Sequence, residues 1–147
     1  MDDVLVCIPA RRDDPKALFA GPVAAITANE ALHATLDYSP DRAEEAEYAA
    51  LVLASVWALT KYGERFVVTA EVAAAQVGDG DEAGNGGVSV TGLRRDQLVA
   101  WFDDQTDAAA AAGSVQGLSL DEAWEHDSVA AVLEHELLWH TIDEWGI

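Results

Sequence analysis

Cysteine occurs once in the 147 residues, at Cys7. No internal disulfide can therefore form, and no cysteine-built zinc site exists. Basic residues are nearly as sparse, with two Lys and six Arg against 27 Asp and Glu, for a net charge of −19. The deficit is uneven, because residues 96–147 hold twelve acids and no Lys or Arg. A nucleic-acid binder needs a basic stripe to displace counterions from phosphates, so that class is excluded. An anionic membrane surface is excluded for the same electrostatic reason. Apolar runs are short: Ala49–Leu59, with Ser55 inside it, falls well below the roughly 20 residues a membrane span requires. Met1-Asp-Asp leads straight into apolar residues with no basic n-region, so no signal peptide is expected and the location is read as cytoplasmic. The nucleophile elbow, the Walker loop and a dinucleotide fingerprint opening a helix are all missing. No cofactor is expected.

The apolar complement is sufficient for folding. Leu, Val, Ile and Phe together number 36 of 147, above the roughly 20% floor below which highly charged chains stay unfolded. Length argues for one domain spanning residues 1–147. The 28 alanines and two lysines fit either a GC-rich genome or a salt-loving source.

Val4-Leu-Val-Cys-Ile8 reads as a buried, central strand, followed by a turn and a short helix with Asp14 as its cap and Pro15 at its first position. A second strand is expected at Val23–Thr27, and a short helix capped by Asn29 runs to about Leu36. The clearest helix covers residues 40–62: Ser39 caps it, Pro40 opens it, Glu44 and Glu45 favour its N-terminus, and Gly63 ends it. From Ala49 onward it is apolar nearly all round, so it must be covered on several sides. Arg65–Ala70 is strand-like, and Gly78–Gly87 reads as a flexible loop. Val88–Thr91 and Leu98–Phe102 suggest a hairpin. Thr106 caps a short Ala-rich helix ending at Gly113. Ser119-Leu-Asp-Glu122 has capping-box spacing, and a helical pattern continues to Trp145, with any break expected near Asp127. The expected fold is α+β: a single mixed β-sheet of about five strands, with the long buried helix (about 40–62) and a C-terminal helix packed on it.

Four stretches occur in a suggestive order: Ile8-Pro9-Ala10, Glu45-Ala-Glu-Tyr-Ala-Ala-Leu51, Phe66-Val-Val and His135-Glu-Leu-Leu-Trp139. Together they resemble an actinobacterial family of uncharacterised proteins, a domain of unknown function of similar length. The resemblance spans nearly the whole chain. It implies a bacterial cytoplasmic protein and favours genome composition over salt adaptation as the source of the acidity. It carries over no catalytic residue.

Candidate chemistry concentrates in Glu134-His-Glu-Leu-Leu-Trp-His140. A zinc-protease helix places two His four apart on one face. His135 and His140 are five apart, about 140° round a helix, so they diverge. Glu136 and His140, four apart, would share a helical face with Asp143 and Glu144 one turn on. Such a carboxylate–imidazole pair is a candidate for acid–base work or for binding a divalent metal, with His135 or His126 (beside Glu125) assisting. A solvated polar pair on a terminal helix has the same spacing and is the default reading. Asp79-Gly-Asp-Glu-Ala-Gly84 begins like a calcium loop, but Ala83 and Val90 occupy positions that need oxygen ligands. Arg11-Arg12 and Arg94-Arg95 form an anion-binding candidate if their two turns meet at one sheet edge. Cys7 reads as an inert core thiol. Trp101, Trp139 and Trp145 read as core, and Trp124 as the tryptophan left to anchor a partner. The C-terminal segment has apolar residues on two helical faces: Val129, Val132, Leu133 and Leu137 on one, and Leu138, Ile142 and Trp145 on the other. One of them is expected to be buried against a second copy, as a homodimer, or another protein. The favoured function is a non-catalytic binding or protein-interaction module; the competing one is a metal-dependent or acid–base enzyme built on Glu136 and His140.

Overall fold

The computed structural model describes residues 3–104 and 113–145 and is of mixed α+β class. Its strands are β1 (Asp3–Pro9), β2 (Val23–Ile26), β3 (Val67–Ala73), β4 (Val77–Asp79), β5 (Gly87–Val90), β6 (Leu98–Asp104) and β7 (Leu137–Thr141). Its α-helices are α1 (Glu30–Thr35), α2 (Ala43–Tyr62), α3 (Leu120–Trp124) and α4 (Asp127–Val132). Among the described residues the strands form one sheet in the order β4-β5-β2-β1-β3-β6-β7, with every neighbouring pair antiparallel. The sheet is therefore not mixed, and it has seven strands rather than about five.

The two unexpected strands are short or locally ambiguous. β4 is three residues long and lies inside the glycine-rich stretch; β7 replaces the second half of the expected C-terminal helix. The expected hairpin is also corrected. β5 pairs with β2 and β4, while β6 pairs with β3 and β7. The Thr106–Gly113 helix falls outside the described residues save for its final glycine.

The sheet cannot be flat. β3 is fifth in the order and β4 first, four spacings or about 19 Å apart in a flat sheet. Only Ala74–Gln76, a single 3₁₀ turn, joins them, spanning about 8 Å at its own rise and about 14 Å if fully extended. The sheet therefore rolls until its first strand returns beside the end of β3. Gln76 and Gln97 close the roll by exchanging amide hydrogen bonds: Gln76 Nε2 donates to Gln97 Oε1 at 3.1 Å and Gln97 Nε2 donates to Gln76 Oε1 at 2.7 Å. Inside the roll lies one apolar cluster, with Val6, Ile8, Val68, Val72, Val88 and Val90.

A second cluster fills the space between the outer sheet face and the helices. α2 is its axis, buried almost all round from Ala50 to Thr60. The helix starts at Ala43 rather than Pro40 because Ser39 gives its hydroxyl to Asp41 and caps nothing; Ser39 to Arg42 forms a turn instead. It ends where Gly63 adopts a left-handed φ of 78° and its N–H reaches the Leu59 carbonyl. The Ser119–Glu122 capping box forms and starts α3, but the helical pattern then breaks at His126, which caps α4.

The stretch expected to be a flexible loop is closely packed. A Cβ on Gly87 would lie 1.8 Å from the Asp81 carbonyl oxygen, and one on Gly86, at φ +85°, 2.4 Å from that of Thr27. The glycines are there for close backbone approach. No described helix is long and apolar enough to cross a membrane.

Candidate functional site

β6 carries a bulge that arranges the chemistry at this end of the sheet. Register shifts between Thr69 and Ala70 of β3, so that Leu98 and Ala100 face consecutive partners and Val99 is extruded, 48% exposed. Leu98 and Trp101 then share the inner face although they are three apart. Trp101 pairs with His140 across β6–β7, and the two rings stack at 3.9 Å with an interplanar angle of 13°. Asp103, two residues along on the same face, accepts from Arg12 Nη2 at 2.6 Å on one oxygen and meets His140 Nε2 at 2.8 Å on the other. Glu144, on the 3₁₀ turn Ile142–Trp145, meets His140 Nδ1 at 3.0 Å. The Arg12 guanidinium lies 5.2 Å from the Phe66 ring centroid and 5.3 Å from that of Trp101. Trp145 Nε1 donates to the Arg12 carbonyl at 2.9 Å.

Partial burial alone disfavours the imidazolium of His140, but hydrogen bonds to Asp103 and Glu144, together with their charges, outweigh it and raise the pKa above its ordinary value. With a carboxylate on each side, both ring nitrogens are already engaged within the chain. The ring acts as a rivet between β6, β7 and the final 3₁₀ turn, one that protonation strengthens. The proposed partner Glu136 takes no part. It lies just before β7, exposed, and four residues of extended chain put it about 13 Å along from His140. The shared helical face that was to join them is absent. His135 is exposed; its N–H donates to the Val132 carbonyl at 3.0 Å and its carbonyl accepts from Arg65 at 3.2 Å. His126 Nδ1 accepts from the Ser128 N–H at 3.4 Å while capping α4. Among the described residues no three His, Cys, Asp or Glu groups converge as a metal site. The supposed calcium loop is likewise committed to structure: Glu82 accepts from the Leu120 N–H at 2.7 Å and Asn85 donates to Asp121 at 3.1 Å.

The four arginines do not form one anion site. Arg12 turns to Asp103, Arg94 to Asp96 at 3.2 Å, and Arg95 to Asp143 at 3.5 Å. Arg11, paired with Asp13 at 3.5 Å, lines a cleft beside β2. Burial, reinforced by the nearby Glu47 charge, pushes the Cys7 thiol up to about 12, as suits an inert core residue.

The two-faced C-terminal helix, and with it the basis for a helix-mediated homodimer, is not present. Val129 and Val132 are buried against α2, Leu133 and Leu137 pack on the same cluster, and Ile142 and Trp145 join the inner one. What remains exposed is Leu138 at 37% and, against expectation, Trp139 at 61%. Trp124, at the end of α3, is 40% exposed. Both Leu138 and Trp139 lie on β7, the last strand of the sheet; among the described residues its outer edge has no strand partner. Glu134, Glu136, Asp143 and Glu144, all exposed, flank it.

Sequence reasoning missed Asp103, which carried no motif, and the buried pair Arg65–Asp104. Arg65 Nη1 meets Asp104 at 2.9 Å, and the same nitrogen donates to the Val132 carbonyl at 3.3 Å. An arginine opening a strand with an acid pair ending another was the available signal.

No curated protein and no solved structure matches this chain. A family of unknown function (DUF6912) has a model that matches residues 9–146, and the chain belongs to that family.

Proposed function

We propose that this chain is a non-catalytic interaction module that adds an extended, basic polypeptide segment to the free edge of β7. The observation that carries the reading is the edge itself: a terminal strand bearing exposed Leu138 and Trp139 and bordered by acids at both ends. Added strands gain main-chain hydrogen bonds for affinity and side-chain contacts on alternate faces for selectivity. Leu138 and Trp139 supply one apolar contact to each face. Glu134 and Glu136, ahead of the strand, favour a partner rich in Lys and Arg, while Asp143 and Glu144 beyond it are partnered within the chain by Arg95 and His140.

The same charges disfavour a second copy as the occupant. Antiparallel self-pairing centred on Trp139 would set Glu134 against Glu144 of the other chain, at both ends of the ribbon. The acid–base alternative loses its basis because Glu136 is remote from His140 and the His140 ring nitrogens are both engaged. The reading takes residues 1–147 as one domain of a cytoplasmic actinobacterial protein. The order of the four sequence stretches supports the source, and a lone, buried Cys7 is in keeping with a reducing compartment.

Titrating the full chain with a twelve-residue peptide alternating Val or Thr with Lys, and following tryptophan fluorescence, tests the reading. Saturable binding is expected, weakening with salt. Trp139→Ala should lower affinity about thirtyfold, the scale of an interface hot spot. An acidic peptide of the same pattern should not bind. Absence of binding, or binding indifferent to Trp139→Ala, overturns the proposal.

A further inference from the structure

A cleft of about 450 Å³ lies between the exit of β1, the 3₁₀ turn Pro15–Phe19, the start of β2 and the C-terminal end of α2. Cavities of this size accommodate small organic ligands. Its lining is mixed, and the apolar part includes Ala10 and Leu18, almost fully buried, and Val23, partly so. Its rim carries Arg11, Lys61 and Tyr62, against the single acid Asp14.

That rim is anomalous for this chain. Acids outnumber bases by 27 to 8 overall, yet here two bases meet one acid. The Arg11 guanidinium is about half exposed, and among the described residues its ion-pair partner is the more exposed Asp13 at 3.5 Å. Lys61 rests its ammonium 5.0 Å from the Trp57 ring centroid and makes no ion pair among the described residues. Arg12, the next residue after Arg11, points away to Asp103, so the two adjacent arginines serve different sites. At physiological ionic strength, charges beyond about 8 Å are largely screened, so the remote acids do not cancel the local cations.

We infer that this cleft binds a small amphipathic anion, a single carboxylate or sulfonate carried on an apolar body. The acid group is held between Arg11 and Lys61, and the apolar body enters the space walled by Ala10, Leu18 and Val23. The half-exposed Tyr62 ring closes one side of the mouth. A guanidinium fork suits a carboxylate's two oxygens, and Lys61 adds a point charge. A highly charged ligand such as a nucleoside triphosphate does not fit, because the rim supplies only two cations and Asp14 opposes it.

The test uses anilinonaphthalene sulfonate as the probe and octanoate as the competitor, with the intact chain. Saturable one-to-one fluorescence enhancement is expected, reversed by octanoate and not by octan-1-ol at the same concentration. Arg11→Glu and Lys61→Glu, both on exposed side chains, should each weaken probe binding about tenfold or more, the scale of a lost charge-assisted hydrogen bond. Trp139→Ala should leave it unchanged, which separates this site from the β7 edge. Amide resonances of Ala17, Leu18 and Ala24 should shift with octanoate. No saturable binding, equal displacement by octan-1-ol, or indifference to both charge reversals overturns the inference.

Discussion

His140 is held by Asp103 at 2.8 Å and Glu144 at 3.0 Å and stacked on Trp101, so its protonation is tied to folding. Its folded pKa is raised above the ordinary histidine value of 6.5. A raised folded pKa contributes stability that is fully present below the unfolded value and is lost as pH rises through the folded value. The melting-temperature gap between the wild type and His140→Gln is therefore expected to be wider at pH 5.5 than at pH 8.5. Comparing the two proteins at each pH removes the shared contribution of the 27 acids. A gap that stays constant or widens toward pH 8.5 would show that the imidazolium is not what secures the turn. Little of this was legible in the sequence. His140 stood out as an ionisable residue, but its partner Asp103 is 37 residues away and belongs to a strand whose register depends on an extruded Val99.

At the scale of elements, legibility followed how local the determinants are. β1, α1, α2 and the start of α3 announce themselves through apolar runs, caps and stop signals within a few residues. β7 does not. Glu134 to Leu138 are competent helix formers, and Val129, Val132, Leu133 and Leu137 fit a helical stripe. Tertiary pairing overrides that preference. β6 offers an unfilled edge, the helical cluster takes Leu137, and the ring of His140 covers Trp101. Arg65 fixes the bend before the strand, donating to the carbonyls of Val132 and His135 while paired with Asp104, both side chains being almost fully buried. Removing one member of such a pair leaves the other charge buried and uncompensated, typically at a cost of about 3–5 kcal/mol. Arg65→Met should lose stability on that scale in urea unfolding and should raise amide exchange at 132–136 ahead of α2. A loss below about 1 kcal/mol would mean the bend is held by something else.

For the whole molecule, the order of strand and helix signals indicated the α+β class. That order could not indicate the roll of the sheet. That follows from a three-residue connection between strands four places apart, and from the Gln76–Gln97 exchange that closes it. The roll creates two apolar compartments, hides Val72 and Val90 from water without a covering helix, and leaves β7 as a terminal strand. The cleft near Arg11 and Lys61 was half legible, since Arg11 was singled out but its partner lies at the far end of α2. Amide hydrogen exchange across Leu137–Thr141, with and without the Lys-alternating peptide, tests the central claim that this segment is a strand with a vacant edge. Alternate amides, those already bonded to β6, should exchange slowly in the free protein, and the intervening ones should become protected when the peptide is added. Uniform protection of consecutive amides before any peptide is added, or no change at saturating peptide, would contradict it.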